Sequence, residues 1–158
     1  MVGVVIVAHS LMGKELIATA EYIVGKIEGI TAVSIDFKMN AFEARKTISE
    51  AINQIDQGDG ILIFTDLFGG SPSNIAFSFL NKEKTEVITG VNLPMVLTFW
   101  NKRENKTLSE LAKLVQLSGI RNIVMAKDLM EEKGAFQKRN LKSGRRLSEK
   151  YEKDIDRR

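Results

Sequence analysis

The chain has 158 residues, of which 44% are hydrophobic and 27% charged, enough apolar material for the core of one ordinary globular domain and little room for a second. It contains no cysteine and one histidine, which excludes disulfides, thiol nucleophiles, zinc-thiolate sites and histidine-rich metal sites. No apolar run approaches the roughly 20 residues of a bilayer span, and no basic lead-in with a cleavage-like site opens the chain, so a soluble, cytoplasmic protein is expected.

The net charge of +3 is unevenly placed. Residues 128–158 carry ten Lys or Arg against seven Asp or Glu, leaving thirteen of each sign in residues 1–127. The body is therefore neutral, and the charge gives no reason to expect a nucleic-acid ligand. This divides the chain into a domain over 1–127 and a charged, basic tail over 128–158.

The elements alternate. Val2 to Ala8, rich in β-branched residues, reads as a first strand ending at His9, the only histidine. Leu16, Ala20, Ile23, Val24 and Ile27 recur at helical spacing and predict an amphipathic helix closing near Gly29. A short strand over Ala32 to Phe37 follows. A second helix runs through Ala41, Ala44, Ile48, Ala51, Ile52 and Ile55 to the Gly58-Asp59-Gly60 turn. Ile61 to Thr65 reads as a buried third strand. The loop Asp66 to Ser71 leads to Pro72, which predicts a helix capped by Ser71 and running through Ile75, Ala76, Phe79 and Leu80. Glu86 to Thr89 is a fourth strand, followed by a turn at Gly90 to Pro94 and a short helix from Met95 to Trp100. Thr107 and Glu110 have capping-box spacing, so a last helix is expected through Leu111, Leu114, Val115 and Leu117 to Gly119. Asn122 to Ala126 then reads as a last strand. In the tail, Leu147, Tyr151 and Ile155 share a four-residue spacing, and Lys138-Arg139 and Arg145-Arg146 form basic pairs.

This alternation predicts an α/β fold, a doubly wound and mostly parallel sheet of four to five strands with helices on both faces. In the common order 2-1-3-4, strands one and three are neighbours at the point where the winding reverses, the crevice where such sheets bind ligands. That order sets His9 beside Asp66. A carboxylate accepting the Nδ1 hydrogen of an imidazole fixes its tautomer and frees the opposite nitrogen as a nucleophile. The Gly69-Gly70-Ser71 turn lets backbone approach a ligand at a helix start, a setting that favours an anion such as a phosphoryl group. The candidate catalytic pair is therefore His9 and Asp66, with Ser10, Gly69, Gly70 and Ser71 as phosphoryl-binding residues. No metal or other cofactor is called for. Two enzyme classes fail on their motifs. Ala8 to Glu15 lacks the first glycine and the closing Ser or Thr of a nucleotide P-loop, and Gly69 to Ser73 is not a serine-hydrolase elbow.

The segments VVIVAHS, ILIFTDLFGGSPSN and EVITGVNLPM, in order across residues 2 to 126, resemble the IIA domain of the mannose family of the bacterial sugar phosphotransferase system. The resemblance implies a phosphotransferase that accepts phosphate from phosphorylated HPr on His9, through Nε2, and passes it to a IIB component for sugar uptake. It implies Asp66 as the residue holding the other ring nitrogen and Ser71 as the active-site serine. It further implies a homodimer whose last, antiparallel strand, here Asn122 to Ala126, is exchanged between subunits, with membrane contact only through IIC and IID components. Related domains also serve as regulatory modules and as phosphodonor subunits of dihydroxyacetone kinases, and the fold does not decide among these.

Overall fold

The computed structural model describes residues 1–128 and 130, apart from 37 and 82. The chain divides into a compact unit, Met1–Asn122, and a second unit, Ile123–Arg158. The tail features centred on Lys138, Arg145, Leu147, Tyr151 and Ile155 lie outside the described residues.

In the first unit β1 (Gly3–His9), α1 (Met12–Val24), β2 (Ile30–Ile35), α2 (Ala41–Ile55) and β3 (Ile61–Thr65) follow in turn. They are succeeded by α3 (Ser71–Ala76) with a 3-10 turn at Phe77–Phe79, then β4 (Thr85–Thr89), α4 (Leu93–Lys102) and α5 (Leu108–Arg121). The sheet order is β2-β1-β3-β4, every neighbouring pair is parallel, and the expected α/β fold is present. Parallel neighbours require a crossover, and the crossovers bury both sides of the central strands. That is why β1 and β3 read as unbroken apolar runs. Along β1 the two-residue period splits the chain between two cores. Val4, Ile6 and Ala8 join Ala20, Met95, Phe99, Leu111 and Val115 beneath α1, α4 and α5, whereas Val5 and Val7 join Ala44, Ile48 and Ala76 beneath α2 and α3.

Several boundaries differ from the sequence expectation, each for a local reason. α1 ends at Val24, with Gly25 at φ 83, rather than near Gly29, so β2 starts at Ile30 and not Ala32. Ile27 is buried all the same, from a loop. α4 starts earlier than Met95 because the Asn92 side chain caps it, accepting from the Met95 N–H at 3.2 Å, while its amide donates to the Gly119 carbonyl at 3.2 Å. Asn92 thus joins α4 to α5. Gly119 does not stop α5. It sits inside the helix because a Cβ there would lie 2.8 Å from Met95 Cγ, so the glycine permits close packing. Phe99 is fully buried, and Trp100 lies under the guanidinium of Arg103 at 4.3 Å, which assigns both to packing.

The last expected strand is not formed among the described residues. α5 continues to Arg121, where the Asn122 amide donates to the Ser118 carbonyl at 2.9 Å, residues 123–125 have no regular structure, and residues 126–128 are helical. The last strand of the sheet is β4, and it is parallel.

Candidate functional site

His9 closes β1 and Asp66 follows the last residue of β3, so the two adjacent strands deliver them to the same carboxyl edge. Strand alternation carries His9 onto the same side as Val5 and Val7, the side of α2 and α3. The imidazole is about half exposed, at 49%, while the Asp66 side chain is only 9% exposed. The nucleophile candidate faces solvent and its partner is tucked behind it.

Asp66 is held at three points. Oδ2 accepts the His9 main-chain N–H at 2.8 Å and lies 2.8 Å from His9 Nδ1, and Oδ1 accepts the Leu67 N–H at 2.8 Å. Burial pushes the carboxyl pKa up, but the bonds from the His9 main chain and ring, the Leu67 amide and the charge of His9 together hold it below the ordinary 3.8. The group is a carboxylate at neutral pH. In the neutral ring this partner places the proton on Nδ1 and leaves the Nε2 lone pair free.

The other residues singled out from sequence fall around this pair. Ser10 is exposed and adopts φ 53, a left-handed conformation unusual for a residue with a side chain, as the backbone turns from β1 into α1. Gly69 has φ 81 with open space around it, so its turn requires glycine. Gly70 serves differently. A Cβ on it would stand 3.4 Å from His9 Cε1, in ordinary contact, so the loop faces the edge of the imidazole with room for a methyl group between them.

Ser71 is the first residue of α3 and not its cap; Gly70 occupies the cap position, and Pro72 is buried in the first turn. Proline is accepted at either of the first two helical positions, and here it takes the second, which shifts the expected cap by one residue. α1 and α3, the helices that follow His9 and Asp66 in the chain, have no side-chain cap, whereas α2, α4 and α5 are capped by Asn40, Asn92 and Thr107. Their first-turn amides have no helical acceptor and are available to an anion.

Three features escaped the sequence reading. Ser73, wholly buried, donates its hydroxyl to the Gly70 carbonyl at 2.9 Å. Thr65, also wholly buried, has a hydroxyl with no hydrogen-bond partner. The third is a set of exposed apolar side chains flanking the site in sequence: Leu11, Met12, Leu67, Phe68 and Phe77, with the Phe68 and Phe77 rings 6.2 Å apart. Large apolar residues placed in a glycine turn, where no core is within reach, were the available signal for the last of these.

Among the described residues no cluster of carboxylates, histidine or thiols could hold a metal, and no helix is long and apolar enough to cross a membrane. The arrangement offers a nucleophilic nitrogen, an orienting carboxylate and nearby main-chain donors.

Comparison with known proteins gives a consistent result. Residues 3–116 match the family model described as the PTS system fructose IIA component. The chain is 29% identical over 136 residues to the PTS system mannose-specific EIIAB component of Escherichia coli, covering 85% of this chain but only 42% of that protein, so it spans about two fifths of this relative's length. It is likewise 29% identical over 113 residues to the PTS system fructose-specific EIIA component of Bacillus subtilis, covering 70% of this chain and 76% of that protein. Among solved structures it is similar to phosphotransferase system component EIIA from Streptococcus agalactiae, with a TM-score of 0.73, 24% identity, and 81% and 99% of the two chains covered. A PTS IIA protein associated with the fucose utilization operon of Streptococcus pneumoniae is similar at a TM-score of 0.69 and 25% identity, covering 82% of this chain and 96% of that one. With the family model spanning all four strands of the parallel sheet and the histidine-bearing edge, the chain belongs to the mannose and fructose IIA family of the sugar phosphotransferase system.

Proposed function

We propose that this protein is a phosphoryl carrier that takes phosphate from histidine-phosphorylated HPr onto His9 Nε2 and delivers it to a IIB component, which phosphorylates a sugar during uptake. The observation that carries this reading is the 2.8 Å contact between His9 Nδ1 and Asp66 Oδ2. In the forward step the Nε2 lone pair attacks phosphorus, the P–N bond of the donor breaks, and the donor's imidazole leaves with that electron pair. The His9 ring keeps its Nδ1 proton and becomes cationic, and the ionised Asp66 offsets that charge as it develops. Delivery to IIB is the same exchange reversed on a different acceptor.

Positioning supports the reading as well. The amides at the uncapped starts of α1 and α3, with the hydroxyls of Ser10 and Ser71, are the donors for the phosphoryl oxygens, and Gly69 and Gly70 bring backbone close to them. The exposed Leu11, Met12, Leu67 and Phe68 suit a protein donor, because a half-exposed ring at a sheet edge is reached by a complementary surface. A homodimer completes the proposal. Leu114, Leu117 and Ile120 form an exposed apolar stripe on α5 that a second copy would cover, and sedimentation equilibrium at twice the chain mass is the expected result.

The test of the relay is transfer. Protein labelled by phosphorylated HPr is mixed with mannose-family IIB proteins, and loss of label from this chain with gain on a IIB is expected. Labelling without delivery to any IIB would instead assign the chain to the regulatory members of the family.

A further inference from the structure

Arg103, which follows α4 and opens the link to α5, is only 6% exposed. Its guanidinium lies over the Trp100 ring, 4.3 Å from the centroid, and Nη1 donates to the Glu28 main-chain carbonyl. Among the described residues it forms no ion pair, and Nε and Nη2 have no hydrogen-bond partner. Burial pulls its pKa below the ordinary 12.5, and the charges of Glu28 and Glu104, which act the other way, do not restore it. A buried charge is ordinarily paired and fully hydrogen-bonded, because an unpaired one loses its hydration with nothing to replace it. Arg103 lines a cavity of about 640 Å³, together with Asp59, Glu83, Lys106, Leu108 and Ser109. Asp59 and Glu83 precede β3 and β4, so the cavity stands at the amino edge of the sheet, opposite to the edge that carries His9.

We propose that this cavity is a second ligand site, for the phosphate monoester of a small polyol, with the phosphate on Arg103 and Lys106 and a hydroxyl donating to Glu83. The charges of the lining favour an anion. Asp59 is already paired with the Met1 amino group at 2.5 Å, which leaves Arg103 and the exposed Lys106 opposed by Glu83 alone. Further donors are the Ser109 hydroxyl and the Leu108 and Ser109 amides, which open the 14-residue α5 and have no helical acceptor. Three terminal phosphate oxygens serve that set of donors better than the two of a carboxylate. Glu83 in turn accepts only from a donor, which the hydroxyls of a polyol supply. The site is independent of His9 and stands whether or not His9 takes phosphate.

The experiment titrates the nitrogen-15-labelled full chain with glycerol phosphate at near-physiological salt, with inorganic phosphate and glycerol as the two controls. Saturable NMR shifts are expected at the Leu108 and Ser109 amides and at the Arg103 Nε–H, half-complete below about 1 mM. Glycerol should produce none, and inorganic phosphate should bind about fivefold more weakly or worse. Arg103→Gln is expected to abolish saturation, and Lys106→Gln, at an exposed position, to raise the half-saturation point about threefold to tenfold. Should Arg103→Gln not fold, Lys106→Gln decides, together with Glu83→Gln, which is expected to remove the preference for glycerol phosphate over inorganic phosphate. No saturable shift up to about 10 mM, wild-type affinity in Lys106→Gln, or equal affinity of the wild type for the ester and for inorganic phosphate overturns the proposal.

Discussion

At the scale of single residues the site is a division of labour between an exposed ring and a sheltered carboxylate. Asp66→Ala removes the partner that sets the tautomer but leaves Nε2 in place, so acceptance of phosphate is expected to slow by about tenfold to a hundredfold without vanishing. Stopped-flow or quench kinetics with phosphorylated HPr would measure it. The same carboxylate makes a pH-dependent contribution to folding. Its pKa in the folded chain lies below the ordinary 3.8, so its stabilisation is complete above that value and is lost as pH falls through the lower, folded value. Chemical denaturation across acid pH should therefore show the wild type losing more stability below about pH 4 than Asp66→Asn, and equal slopes would contradict the bonding described. His9 and Asp66 were legible from sequence because each ends an apolar run, and a strand's last residue marks the sheet edge. Ser73 was not, since a serine inside a helix start reads as a surface residue until packing shows it buried.

At the scale of elements the recurring theme is how strand ends and helix starts are satisfied. Capping boxes at Asn40 with Glu43 and at Thr107 with Glu110 close α2 and α5, and the second was readable as a spacing. Thr65, the last residue of β3, is an exception. Its main-chain carbonyl accepts the Val91 N–H at 3.0 Å, but its buried hydroxyl has no partner. An unpaired buried hydroxyl costs about 1–3 kcal/mol, and valine has nearly the same shape, so Thr65→Val is expected to raise stability by about 1 kcal/mol in urea denaturation. A decrease would show that the hydroxyl has a partner in solution. Nothing in sequence distinguishes this threonine from an ordinary strand residue, because orphaned groups exist only relative to packed neighbours.

For the molecule as a whole, four parallel strands in the order 2-1-3-4 were inferable from alternation and from the double-sided burial of β1 and β3. The segment from Asn122 to Ala126 was misread because its composition is strand-like while α5, threaded past Gly119 to pack against Met95, runs into it. Local composition proposes a strand, but a neighbouring ladder is what makes one. The fold brings together two residues 57 positions apart in sequence, and the helices that follow them in the chain, α1 and α3, both start without a side-chain cap.

A phosphoryl carrier of this design holds its phosphate on the one imidazole of the chain. Incubation with phosphorylated HPr, followed by intact-mass measurement and phosphorus–nitrogen NMR, should show one acid-labile phosphoryl group bound to His9 Nε2 and none on His9→Ala. An unmodified wild type, an acid-stable phosphate, or a label that survives His9→Ala would contradict it.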